Sequence, residues 1–160
     1  MRRDANRNPY DALDSFSVEK ASPGAFIGGT TNARGDHDGT SDPTTLFTVT
    51  GDVLVRMYAV CTTTIVGAGK IEVGLTGNTA EILAQVQDTS TIAANDIYLD
   101  ATVNDVRGAT FSDVPASVLA INGSDIIETL TVANLTAGEL YYVCLWRPIT
   151  PDGNVVAVNA

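Results

Sequence analysis

Thr, Val and Ile fill 47 of the 160 positions, and no other feature limits the folds open to this chain so strongly. A side chain branched at Cβ has already lost most of its χ1 freedom. It gives up little more on a pleated strand, whereas in a helix it crowds the preceding turn. The arrangement of the apolar residues agrees. No stripe at helical spacing runs for ten or more residues, and the nearest, residues 78–87, alternates and fits a strand equally well, a short helical turn being the alternative there. The longest uninterrupted apolar run spans seven residues, 140–146, against about 20 for a membrane-spanning helix. No apolar segment follows Arg2, Arg3 and Arg7 as it would in a secretory signal. One all-β domain is expected, with neither a membrane span nor a cleaved leader.

Two regions divide the chain. Residues 1–43 hold the clusters Ser22-Pro23-Gly24, Gly28-Gly29 and Asp36-His37-Asp38-Gly39 and keep no sustained period. With Phe16, Val18, Phe26 and Ile27 as its only apolar anchors, this stretch reads as an extended arm that lies on something else. Alternation begins at residue 44. Strands are expected at 46–50, 53–61, 70–75, 82–86, 97–99, 117–121, 125–132, 140–147 and 154–158, with an irregular stretch near 100–116. Ile71, Val73 and Leu75 should point inward, leaving Lys70 and Glu72 on a solvated side. Asn122-Gly123, between two apolar runs, predicts a hairpin. Eight or nine strands in residues 44–160 make a β-sandwich, of jelly-roll type.

Charge restricts the partners. A formal net charge of −10 repels nucleic-acid phosphates and anionic membranes alike, so neither is expected as a ligand. Only 18 % of residues are charged and only two are lysines, which leaves much of the surface uncharged. The tip of the arm, with Arg2, Arg3 and Arg7, is basic, while residues 44–160 carry four basic and twelve acidic groups.

Several chemistries lack their parts. His37 is the lone histidine, so the multi-histidine metal site of cupin enzymes and a Ser-His-Asp or Cys-His nucleophile are both ruled against. Cys61 and Cys144 stand among apolar neighbours and read as buried thiols, a disulfide being the alternative. The acidic turn 36–42 has the glycine of a calcium loop but not its downstream Glu, and reads as solvated. Arg34-Gly35-Asp36 is the adhesion tripeptide, too short to carry weight. A sugar-cleaving acid pair is disfavoured by an aromatic content of 6 %. Neither catalysis nor a cofactor or metal is expected.

The positive signal is two-sided strands. In 140–147 one face is Leu140, Tyr142, Cys144 and Trp146, and the other is Tyr141, Val143, Leu145 and Arg147. A two-layer sandwich buries one face, so the second must meet the arm, a sister subunit or another surface. The same holds for Leu54, Tyr58 and Val60 around Arg56. Leu54, Tyr58, Tyr141, Val143 and Leu145 are therefore the candidate subunit interface. Arg2, Arg3, Arg7, Phe16, Phe26 and Ile27 are the candidates for arm docking.

The run Leu46-Phe47-Thr48-Val49-Thr50-Gly51-Asp52-Val53, the segment Lys70-Ile71-Glu72-Val73-Gly74, and Cys144-Leu145-Trp146-Arg147-Pro148 followed by Asp152-Gly153-Asn154-Val155-Val156 resemble small all-β virion proteins of tailed bacteriophages. The usual role of such proteins is head decoration, or capsid cement. The resemblance covers about 46–158 and contains no catalytic motif. It implies a homo-oligomer, a trimer being favoured, that is made in the host cytoplasm, binds the major capsid protein on the exterior of the phage head and clamps neighbouring subunits. A receptor- or glycan-binding tail component is the alternative, and a carbohydrate-active enzyme on a β-sandwich is a more distant one.

Overall fold

The computed structural model describes residues 16–38, 42–101 and 115–159. It is an all-β sandwich of two antiparallel sheets, and among the described residues there is no α-helix. In chain order the strands are β1 (Ser17–Ala21), β2 (Asp42–Thr50), β3 (Val53–Val66), β4 (Lys70–Leu75), β5 (Asn78–Val86), β6 (Ile97–Tyr98), β7 (Val118–Ala120), β8 (Ile126–Thr131), β9 (Ala137–Pro148) and β10 (Asn154–Ala157). Sheet one runs β1-β9-β3, with β6 and β7 sharing the far edge of β3, and sheet two runs β10-β2-β8-β4-β5. The pairs nest. β4 pairs β5, β3 pairs β6 and β7, β2 pairs β8 and β1 pairs β9, as in one long hairpin wound across two layers.

Alternation decides which side chains enter the core. Val53, Val55, Met57, Ala59 and Cys61 of β3 lie beside Leu140, Tyr142, Cys144 and Trp146 of β9, and all are buried. Ile71, Val73, Leu83, Ile126 and Leu130 of sheet two belong to the same cluster. Both cysteines are buried free thiols on different rungs of the β3–β9 ladder, with Cys61 opposite Leu140 and Cys144 opposite Met57.

Three expectations need correction. First, residues 17–38 do not form an arm. β1 pairs β9 along Ser17 to Ala21, Phe26 is 1 % exposed in the core, and the expected boundary at 43/44 falls inside β2. Residues 27–35 make a tight loop: Ile27 N–H donates to the Arg34 carbonyl, Gly28 N–H to that of Leu135, and Leu135 N–H to that of Gly35. A Cβ on Gly28 would stand 2.1 Å from the Gly35 oxygen, so only glycine allows this approach.

Second, Asn122-Gly123 makes no hairpin. Both residues have positive φ (55° and 67°), and Ser124 N–H closes the turn on the Ile121 carbonyl. The flanking strands then separate, β7 going to sheet one and β8 to sheet two. The turn forms as the dipeptide dictates, but it serves as a corner between layers.

Third, the outer side of β4 is covered at Glu72 and open only at its Lys70 end. Glu72 is only 9 % exposed and accepts hydrogen bonds from Gln85 Nε2 (2.7 Å) and Thr79 Oγ1, both on β5.

Candidate interaction surface

The face of sheet one that points away from the core is set by the β3–β9 register. Leu54 pairs Arg147, Arg56 pairs Leu145, Tyr58 pairs Val143, and Val60 pairs Tyr141. Opposed residues on paired strands project to the same side, so all five candidate interface residues share this face. Val143 is 6 % exposed, while Leu54, Tyr58, Tyr141 and Leu145 are half-buried. The register of β1 adds Val18 opposite Leu145 and Lys20 opposite Val143. On the far side Leu119 lies opposite Leu54, and Ile97 opposite Val60.

Sequence reasoning did not place Val18, Lys20, Leu119 or Ile97 on this face. In Ser17-Val18-Glu19-Lys20-Ala21 the alternation is between two polarities too mixed to read. Leu119 and Ile97 sit on strands of three and two residues, too short to show a period.

Among the described residues the proposed docking side chains do not lie together. Phe16 is half-buried at the edge of this face, its ring 5.5 Å from the Arg147 guanidinium. Phe26 is in the core and Ile27 is 54 % exposed. Arg2, Arg3 and Arg7 lie outside the described residues.

What holds residues 22–38 to the sandwich is a buried ionic cluster. Arg34 pairs with Glu128 of β8 through Nε–Oε1 (3.0 Å) and Nη2–Oε2 (2.6 Å), with side-chain exposures of 7 % and 3 %. Arg34 Nη1 also donates to the Gly24 carbonyl, and its guanidinium lies 3.9 Å from the Phe26 ring centroid. From the opposite sheet Tyr142 donates its hydroxyl to Glu128 Oε2. Burial works against the Arg34 charge, yet Glu128 and Tyr142 outweigh it and hold the guanidinium pKa above its ordinary value. Burial, reinforced by the Glu128 carboxylate, pushes the Tyr142 phenol well up. Arg34 is thus committed to the core, which removes the adhesion reading of Arg34-Gly35-Asp36.

The acidic turn is likewise structural. Asp36 accepts hydrogen bonds from Gly29 N–H (3.2 Å), Asn32 N–H (3.3 Å) and Asn134 Nδ2 (3.3 Å), bracing the 27–35 loop. Among the described residues no three His, Cys, Asp or Glu side chains gather as a metal site would require. Burial pushes the Cys61 thiol up to about 11, with the Asp96 charge adding to it, and raises the Cys144 thiol further. Neither sulfur is an available nucleophile at neutral pH.

One open cavity of about 440 Å³ sits at the end of the sandwich between three turns, lined by Asp52, Asn122, Thr150 and Asp152 with the backbone of Gly51 and Gly123. Asp52 braces it, its N–H donating to Thr150 Oγ1 (2.8 Å) and its Oδ1 accepting from Asn122 N–H (3.0 Å). No aromatic side chain is among these lining residues. Neither a family model, nor a curated protein, nor a solved structure matches this chain.

Proposed function

We propose that the chain is a decoration, or cement, protein of a tailed bacteriophage head, a non-enzymatic accessory that binds the major capsid protein on the outside of the shell. The observation that carries this reading is the second apolar face on β3 and β9, where Leu54, Tyr58, Val60, Tyr141, Val143 and Leu145 line up opposite a core that is already complete. Such a face belongs at a contact between subunits or with a larger lattice. The nested pairing of the strands supports reading the sandwich as a jelly roll, and the resemblance in strand pattern to phage head proteins supplies the biological setting.

The mechanism is thermodynamic linkage. A protein that attaches to the assembled lattice better than to free capsid subunits stabilises assembly by the free energy of that preference, and many weak sites sum around a particle. No reactive centre is needed. Heads prepared with and without the protein test this. Complete heads should survive heating and osmotic shock that open bare ones, and adding back the purified chain should restore resistance. Equal survival would refute the reading. The polar cavity at the turn end favours the alternative, a glycan- or receptor-binding tail component, only as far as its hydroxyl and carboxylate lining goes, since it offers no aromatic platform for a sugar ring.

A further inference from the structure

Asn122-Gly123 is the one Asn-Gly pair in the chain, and the corner it forms carries a reaction that needs no other residue. With no Cβ beside it, the backbone nitrogen of Gly123 is unshielded. It can attack the side-chain carbonyl carbon of Asn122, Cγ, and close a five-membered ring. The N–Cγ bond forms, the Cγ–Nδ2 bond breaks, and the Gly123 proton leaves with the amide nitrogen as ammonia. Water then opens this succinimide at either of its two carbonyls and gives Asp, or isoAsp with the main chain rerouted through the side chain. Water is the only co-reactant, and each product adds one negative charge.

Two opposed features of the corner set the rate. Asn122 is exposed and borders the open cavity, so water reaches its amide and ammonia can leave. The nucleophile, in contrast, is held. Gly123 N–H donates to the Gly51 carbonyl (3.2 Å), Asn122 N–H donates to Asp52 Oδ1 (3.0 Å), and Ser124 closes the turn on the Ile121 carbonyl through its N–H (3.3 Å) and its hydroxyl (2.9 Å). Rotation about the Asn122 Cα–C bond, which brings the nitrogen to Cγ, requires these bonds to part. A reaction confined to an opened form runs at the unfolded-chain rate multiplied by the fraction open. We infer that Asn122 is a site of spontaneous deamidation gated by local opening of this corner. The effect on the fold has a direction. A carboxylate at 122 stands in the cavity wall with Asp52 and Asp152, where like charges repel, and isoAsp lengthens the main chain inside the turn. A converted chain therefore has a looser corner, and with it a looser β7, whose Leu119 lies opposite Leu54. The inference stands on the corner alone and does not depend on the functional reading.

Peptide mass spectrometry of the full chain, incubated folded and in guanidinium chloride at the same neutral pH and temperature, tests it. In the denaturant, conversion should concentrate at Asn122. In the folded protein the same site should convert at least roughly tenfold more slowly, the slowing being the fraction of time that the corner is open. Asp52→Ala, which removes the acceptor of the Asn122 N–H, should raise the folded rate several-fold while the circular dichroism stays that of the parent. Asn122→Gln, which would have to close a larger ring, should suppress conversion at this position. The converted chain, separated by its added charge on an anion exchanger, should melt below the parent. Equal rates in the folded and unfolded chain, or a folded rate unmoved by Asp52→Ala, would overturn the gating. Absence of conversion at Asn122 in the denaturant would overturn the site itself, and a converted chain as stable as the parent would overturn the loosening. Because the folded and denatured rates are both read on the unaltered protein, misfolding of a variant does not obscure the result.

Discussion

Arg34, Glu128 and Tyr142 show how three residues from three parts of the chain hold two sheets and a loop in one register. Removing one partner of a buried ion pair strands the other charge in a low-dielectric interior, so Glu128→Ala should destabilise the fold by about 3–5 kcal/mol in denaturant titration. Replacing both ions by apolar groups of similar volume, as in Arg34→Met/Glu128→Leu, should cost less than either single change, but it leaves the Tyr142 hydroxyl without a partner at about 1–3 kcal/mol. Adding Tyr142→Phe should recover that loss. If the double variant is worse than both singles, the cluster stabilises by more than mutual satisfaction. The thiols give a pH prediction. The Cys61 pKa is raised by burial from the ordinary thiol range to about 11, so between the two values the unfolded chain has lost a proton that the folded chain keeps. Stability from this group is fully present below about pH 8.5, the ordinary thiol value, and is lost as pH rises toward the folded value. A Cys61→Ala variant should show a flatter fall in that window, and native thiols should resist a disulfide reagent until it is entered.

At the scale of elements, the segment from β1 to the 27–35 loop is part of the sandwich. β1 is the edge of sheet one, and Phe26 fills the core beside the Arg34 guanidinium. Phe26→Ala should therefore cost about 3–5 kcal/mol. Were the segment a detachable arm, the same change would leave the melting transition unmoved. This element was illegible in the sequence for a physical reason: a short edge strand buries one side chain fully, Ala21, and takes its hydrogen bonds from a partner near the other end of the chain. Neither leaves a local apolar period. The long strands β3 and β9 were legible because each turns an unbroken alternate series into the core. The Asn122-Gly123 corner lies between these cases. The turn's positive φ values are a local property, but which sheet each flanking strand joins depends on remote ladders. Gly123→Val should be tolerated poorly, since φ is +67° and a Cβ there lies 3.1 Å from the Val49 carbonyl.

For the whole molecule, the nested ladders join distant residues, β1 to β9 and β2 to β8, and such contacts are made only after long loops close. Folding should be slow for a domain of this size, in the range of milliseconds to seconds by stopped-flow refolding. Microsecond refolding would mean that the local hairpin β4–β5 directs the process far more than the topology implies. The candidate face was half legible at this scale. Its apolar members on β3 and β9 follow from alternation alone, whereas the arrival of Val18, Ile97 and Leu119 on that face depends on register between strands that the sequence does not pair. The sequence by itself determined an all-β sandwich, its two main core strands, the buried thiols and the surplus apolar face, because strand periodicity and β-branching are short-range and each residue's side is fixed by its immediate neighbours. Tertiary structure alone decided that residues 17–38 complete the sandwich, that Arg34 lies buried against Glu128, and that Val18, Ile97 and Leu119 join the face opposite the core, because those facts depend on which distant strands become neighbours.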